Sequence, residues 1–171
     1  LYGAAAASPE RNLLSDLRKG QYEGLKNRLE NGGPHLPDFG PIKWTETVSR
    51  FGAVVIGARG ILVAYNVNVN EKDAKAAKIA GSLVRTTGRL LKREDGRRTR
   101  IPGMLEMVQG MGLPLEAHGI SQVSMNLRDV SVTPMHIAYE AVKSIVNDHG
   151  VETCGSELVG LVPLSLSLIH I

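Results

Sequence analysis

Gly52–Asn70 reads GAVVIGARGILVAYNVNVN, two apolar runs parted by Gly57-Ala58-Arg59-Gly60. Its second half alternates strictly. Ile61, Val63, Tyr65, Val67 and Val69 fall on one face, and Leu62, Ala64, Asn66, Asn68 and Asn70 on the other, because successive strand side chains point to opposite sides. The first face is apolar throughout, while the second starts apolar and ends as three amides. A strand built this way leaves a core and enters a cleft or solvent. It is the first candidate for a binding surface.

Around this stretch, 171 residues with 43% hydrophobic and 22% charged content describe a soluble globular chain able to bury a core. No apolar run reaches the roughly 18 residues of a membrane span, so no membrane partner is expected. The start, Leu1-Tyr2-Gly3-Ala4, has neither Met nor a signal-peptide pattern, and reads as the start of an internal fragment. A single cysteine, Cys154, excludes an internal disulfide and fits a reducing, cytoplasmic compartment. With no His near it in sequence, it reads as a buried structural thiol. A net charge of +3 with 4% aromatics argues against nucleic acid.

Upstream, Ser8–Gly20 predicts a helix capped by Ser8 with Pro9 at its first position and Leu13, Leu14 and Leu17 as its stripe. A short helix with Tyr22, Leu25 and Leu29 follows, then a connector from Asn31 to about Arg50. That connector is stiffened by Pro37-Asp38-Phe39-Gly40-Pro41 and anchored by Phe39 and Trp44. Gly52–Ile56 reads as a strand. Downstream, Asn70 is the expected cap of a helix with Ala76, Ile79, Ala80, Leu83 and Val84 packed. Arg89–Arg100, RLLKREDGRRTR, sets six basic residues against Glu94 and Asp95. It reads as a solvated loop, or more sharply as a site for an anionic substrate tail. Strands are expected at Met104–Gln109, Ser121–Arg128 and Val151–Cys154. Between the last two, Thr133 and Pro134 open a helix with Ile137, Ala138, Ala141, Val142, Ile145 and Val146 buried.

From Ile61 the order is strand, helix, strand, strand, helix, strand: an α/β (α+β sandwich) domain with the ferredoxin-like split βαβ arrangement. The residues before it look like the C-terminal part of another α/β subdomain. No paired-His metal motif, P-loop or nucleophile elbow is present, so no metal is expected. His35, His118, His136, His149 and His170 lack carboxylate partners at useful spacing and read as structural or solvated. What remains is a polar cleft of Arg59, Asn66, Asn68, Asn70, Gln122, Ser124 and Asn126. Amides pair a donor with an acceptor, as heterocycles require, and Gly57 and Gly60 allow backbone to approach a flat ring.

Gly57-Ala58-Arg59 with Leu62-Val63-Ala64-Tyr65-Asn66-Val67-Asn68 resembles the signature of the glutamate formiminotransferases. Gln122–Leu127, Ser156–Pro163, Leu1-Tyr2-Gly3, Arg18–Glu23 and Pro37–Pro41 resemble further blocks of that family in the same order. The resemblance implies transfer of a formimino group from N-formimino-glutamate to N5 of tetrahydrofolate, the co-substrate, in histidine breakdown. It implies two α/β subdomains across a folate tunnel, and a homodimer. The folate-contacting stretch falls on Gly57, Ala58, Arg59, Gly60, Ile61, Leu62, Val63, Ala64, Tyr65 and Asn66. Expected divisions are 1–70 for the end of the first subdomain, 71–163 for the second, and 164–171 for a tail. The tail's Leu166–Ile171 resembles an in-frame translated sequencing adapter. The family's general base, a His in Ala-His-Pro-Arg, has no counterpart in this sequence, and none of the five histidines inherits the role. The isolated chain is therefore expected to supply folate binding without turnover. The alternative is a non-catalytic folate-binding or regulatory relative.

Overall fold

The computed structural model describes residues 1–33 and 35–167. The chain divides into two compact units, Leu1–Gly60 and a second beginning at Ile61. The division lies at Gly60 rather than at the expected Asn70. The reason is the long strand, whose ladder partners all belong to the second unit.

In the first unit a short β1 (Tyr2–Gly3) runs parallel to β2 (Gly57–Ala58). Three helices lie between them: α1 (Leu14–Leu17), α2 (Leu25–Asn31) and α3 (Glu46–Phe51). The continuous helix expected over Ser8–Gly20 is instead a 3-10 turn, Pro9–Arg11, followed by α1. The Asn12 carbonyl accepts from Gly3 N and is diverted from a helical ladder. α3 lies where the sequence reads as connector. Its Thr45 hydroxyl accepts from Val48 N at 3.2 Å, an N-cap that satisfies one orphan donor. Leu25, Leu29 and Val48 form the small core, with Leu36 and Trp44 packed against it. Phe39, an expected anchor, is 81% exposed. The connector is held instead by Asp38, ion-paired to Arg11, whose other guanidinium nitrogen donates to the Leu36 carbonyl. Gly52–Ile56 forms no strand ladder among the described residues: its contact with β1 is the Ile56 carbonyl, which accepts from Tyr2 N at 3.0 Å, and Val54, Val55 and Ile56 are exposed.

In the second unit, β3 (Val63–Val69) precedes α4 (Lys75–Val84), a hairpin of β4 (Arg89–Lys92) and β5 (Arg98–Ile101), then β6 (Val108–Leu115) and β7 (Ile120–Leu127). α5 (Met135–Asp148), β8 (Thr153–Val159) and the helical turn α6 (Leu164–Ser167) complete it. The main sheet has order β6-β7-β3-β8, every neighbouring pair antiparallel. With β3, β6, β7 and β8 as its four strands, that is the split βαβ arrangement. Val63, Val67, Val69, Val123, Met125 and Leu127 are buried against Ala76, Ala77, Ala80 and Val84 of α4 and Ala138, Val142 and Val146 of α5. Both helices therefore cover one face.

Boundaries move for local reasons. Ile61 is 78% exposed, because the β3 ladder begins only at Val63, opposite Leu127. Asn70 does not cap α4. Glu71 does so from further back, its carboxylate accepting from Ala76 N and Ala77 N at 3.1 and 3.0 Å. Thr133 likewise leaves the cap of α5 to Pro134 and donates its hydroxyl to the Glu106 carbonyl. The expected strand at Met104–Gln109 lies later, at Val108–Leu115, and the final strand is displaced to Thr153–Val159. The basic loop is a two-stranded hairpin whose Asp95-Gly96 turn closes through Asp95 accepting from Arg97 N. Of the closing run, Leu166 is buried in the core, and Leu168–Ile171, including His170, lie outside the described residues.

Candidate functional site

Because α4 and α5 take one face, the other side of the β6-β7-β3-β8 sheet carries the alternate residues. Register arranges them in rows across the strands. Leu113, Gln122, Asn68 and Gly155 make one row; Met111, Ser124, Asn66 and Glu157 the next; Gln109, Asn126, Ala64 and Val159 the third. Gln122 is the most enclosed, 5% exposed, and its Nε2 donates both to Asn68 Oδ1 at 2.8 Å and to Glu157 Oε2 at 3.1 Å. Asn126 Nδ2 donates to Gln109 Oε1 at 3.4 Å. At the β8 edge the register shifts between Asn68 and Val69, a bulge that sets Cys154 out of the ladder. Bulges re-aim side chains beside binding surfaces. Cys154 is exposed, not the buried thiol expected, because it lies on this edge strand.

The face therefore presents amides, one hydroxyl and one carboxylate in two adjacent rows. Such a surface pairs donors and acceptors with a flat polar ring, and has no nucleophile–base couple of its own. Among the described residues, no group of three or more His, Cys, Asp or Glu is placed to hold a metal ion. Likewise among them, no helix is long and apolar enough to cross a membrane.

The structure distributes the expected folate-contacting residues among three settings. Gly57, Ala58, Arg59 and Gly60 are exposed at the end of the first unit. Ile61 and Leu62 precede β3, and Ile61 is open. On β3, Val63 and Tyr65 turn into the helix-side core and do not reach the opposite face. Ala64 and Asn66 stand on the open face, with Asn68 next to them. Glu157 is the residue that sequence reading left out. Its signal was the alternation of Gly155, Glu157 and Val159, hidden because the strand was ended at Cys154.

The described histidines stay outside this face. His118 ends the 3-10 turn Glu116–His118, His136 lies in the first turn of α5, and His149 Nδ1 is 2.9 Å from the Ile145 carbonyl. His35 belongs to the first unit, beside a cavity of about 340 Å³ lined by Leu17, Leu25, Leu29 and Val48; its Nδ1 is buried without a partner among the described residues. In the hairpin, Lys92 stands opposite Arg98 and Leu90 opposite Arg100, while Arg100 Nη1 donates to the Thr87 carbonyl at 2.8 Å.

Residues 64–170 match the family model described as Formiminotransferase domain, and residues 1–59 match that of its N-terminal subdomain. The chain belongs to the formiminotransferase domain family. The two matches meet where the structure divides, between residues 59 and 64. The chain is 40% identical over 168 residues to the formimidoyltransferase-cyclodeaminase of Rattus norvegicus, covering 98% of this chain and 29% of that protein. Against the glutamate formimidoyltransferase of Thermoplasma acidophilum it is 36% identical over 165 residues, 95% of this chain and 48% of that one. The corresponding protein of Streptococcus pyogenes is 32% identical over 163 residues, again 95% and 48%. The chain thus spans less than half the length of each of these relatives.

Proposed function

We propose that the protein transfers a formimino group from N-formimino-L-glutamate to tetrahydrofolate, giving 5-formiminotetrahydrofolate and glutamate, and that this chain contributes folate binding. The supporting observation is the uncovered amide face of β3 and β7 within a member of this family, since amide rows turned away from a core face ligand or water. Asn66 supplies a paired donor and acceptor to the folate ring. Folate N5 attacks the formimino carbon, giving a tetrahedral intermediate that collapses by expelling the glutamate nitrogen. A general base removes the N5 proton and an acid protonates the leaving nitrogen. No His lies on β3, β7 or β8, so these strands position the acceptor rather than move the proton. The same reading makes the working enzyme a cytoplasmic homodimer.

Calorimetry on the full-length protein with 5-formyltetrahydrofolate tests this. Asn66→Ala should weaken binding about 2- to 12-fold, the value of one neutral hydrogen bond of about 0.5–1.5 kcal/mol. Unchanged affinity would mean that the amide row is only a solvated sheet face.

A further inference from the structure

Resting on the folate reading above, we propose that Glu157 and Asn68 read the 2-amino-4-oxo edge of the pterin ring, which lies over the bare backbone of Gly155. Three observations converge on this. Glu157 joins no ion pair among the described residues, and its side chain accepts from the neutral Gln122 amide. It is the one carboxylate in the two amide rows of the face.

The second observation is the direction that Gln122 imposes. Its Nε2 has two protons, and one goes to Asn68 Oδ1 and the other to Glu157 Oε2. The buried glutamine thereby fixes the outward pattern of both neighbours. Asn68 is left with Nδ2 to donate, and Glu157 with Oε1 and the remaining lone pair of Oε2 to accept. One donor beside two acceptors complements the pterin edge, whose 4-oxo group accepts and whose N3–H and 2-amino N–H donate side by side. A carboxylate takes such a pair of N–H groups in bidentate fashion.

The third is space. Gly155 stands opposite Asn68, and the row Leu113, Gln122, Asn68 ends there without a side chain. A Cβ added at Gly155 would meet nothing within 4 Å, and its φ of +144° restricts the position to glycine. Glu157 lies two residues along the same strand face, about 7 Å away, so a ring edge over Gly155 reaches both groups. Pterin N5 is peri to the 4-oxo group. Holding that edge at Asn68 and Glu157 therefore fixes where N5 points, which makes Glu157 a specificity and positioning residue rather than the proton carrier.

The test compares two ligands, 5-formyltetrahydrofolate and its 2-desamino-2-methyl analogue, by calorimetry on the full-length protein and on Glu157→Ala and Glu157→Gln. The wild-type protein should bind the analogue about 10- to 150-fold more weakly, the range for a charge-assisted hydrogen bond. Glu157→Ala should lose a similar factor on the parent ligand and no longer distinguish the two. Glu157→Gln, which keeps shape and one acceptor, should retain part of the discrimination; an unchanged thermal midpoint shows that each variant is folded. Wild-type binding of the parent with discrimination undiminished in Glu157→Ala overturns this inference alone. Binding of neither ligand by the wild-type protein overturns the folate reading itself.

Discussion

Gly81→Ala sets two opposing effects against each other at the contact that holds α4 on the sheet. On a free helix surface, replacing glycine by alanine stabilises by about 1 kcal/mol, through the backbone freedom that glycine loses on folding. Here the new Cβ would stand 2.5 Å from the Met111 carbonyl carbon and 2.6 Å from Gly112 N, closer than real Cβ contacts come. The obstacle is backbone rather than the end of a flexible side chain. Met111 and Gly112 are laddered to Ser124 and Val123, and Gly112 in turn has no room for a Cβ, 2.2 Å from Ala77. β6 cannot yield without straining its ladder, so the cost belongs at the top of the overpacking range, about 3 kcal/mol. Subtracting the propensity gain leaves a net loss of about 2 kcal/mol. In urea unfolding followed by circular dichroism, with a slope near 2 kcal/mol/M, the midpoint should fall by about 1 M at unchanged slope. An unchanged or raised midpoint would refute the close crossing of α4 over β6, and with it the register that aligns Met111 with Ser124 and Asn66.

Three further outcomes follow from local contacts. Thr45→Ala removes the acceptor for Val48 N and should cost the first unit about 1 kcal/mol, seen as a lower thermal midpoint that Thr45→Ser largely restores. Lys92→Glu replaces a like-charge cross-strand pair with Arg98 by an opposite one. It should stabilise the hairpin by about 0.2–1 kcal/mol at low salt, a gain that shrinks as salt is added. Asp129 has its pKa lowered by the Ser131 hydroxyl and then by Ser131 N–H, both of which donate to its carboxylate. A depressed acid contributes stability above its unfolded pKa and loses it as pH falls through the folded one. Asp129→Ala should therefore unfold at a lower temperature than wild type at pH 7, and the gap should close as the pH drops below about 3.9; a gap that persists in acid would assign the effect to something other than the charge.

What was legible in the sequence is what burial on a single face writes into it. β3, β7 and α5 could be read because Val63–Val69, Val123–Leu127 and Ala138–Val146 each present one apolar face to one core, and that periodicity survives without knowledge of the partner. The hairpin at Arg89–Ile101 escaped for the opposite reason. Its alternation sets cations against residues that reach no core, so charge masks the strand and only the Asp95-Gly96 turn speaks. α3 was lost among prolines and aromatics, although Thr45 stood as a cap in front of it. Ile61 shows the reverse error, a pattern carried past the point where the ladder begins. Gly52–Ile56 shows that β-propensity is not yet a strand, since apolar, β-branched residues form one only when a second segment supplies the hydrogen bonds.

The candidate site divides along the same line. That one face of β3 and β7 is polar follows from period two alone, so Asn66, Asn68, Gln122 and Ser124 were visible one strand at a time. Their relation was not. Glu157 enters through the pairing of Asn66 with both Ser124 and Glu157, and the hydrogen bonds from Gln122 past Asn68 to Glu157 run diagonally over three strands. Local sequence contains no such diagonal. The sheet order β6-β7-β3-β8 creates it by setting β3 between two strands that are distant from it in the chain. The same order makes β8 an edge strand, which is why a bulge, an exposed cysteine and a glycine at positive φ can be accommodated there without disturbing the core. A ligand over Gly155 would therefore meet a sheet rigid at its centre and adaptable at one border, with Gln122 holding the two readers in register.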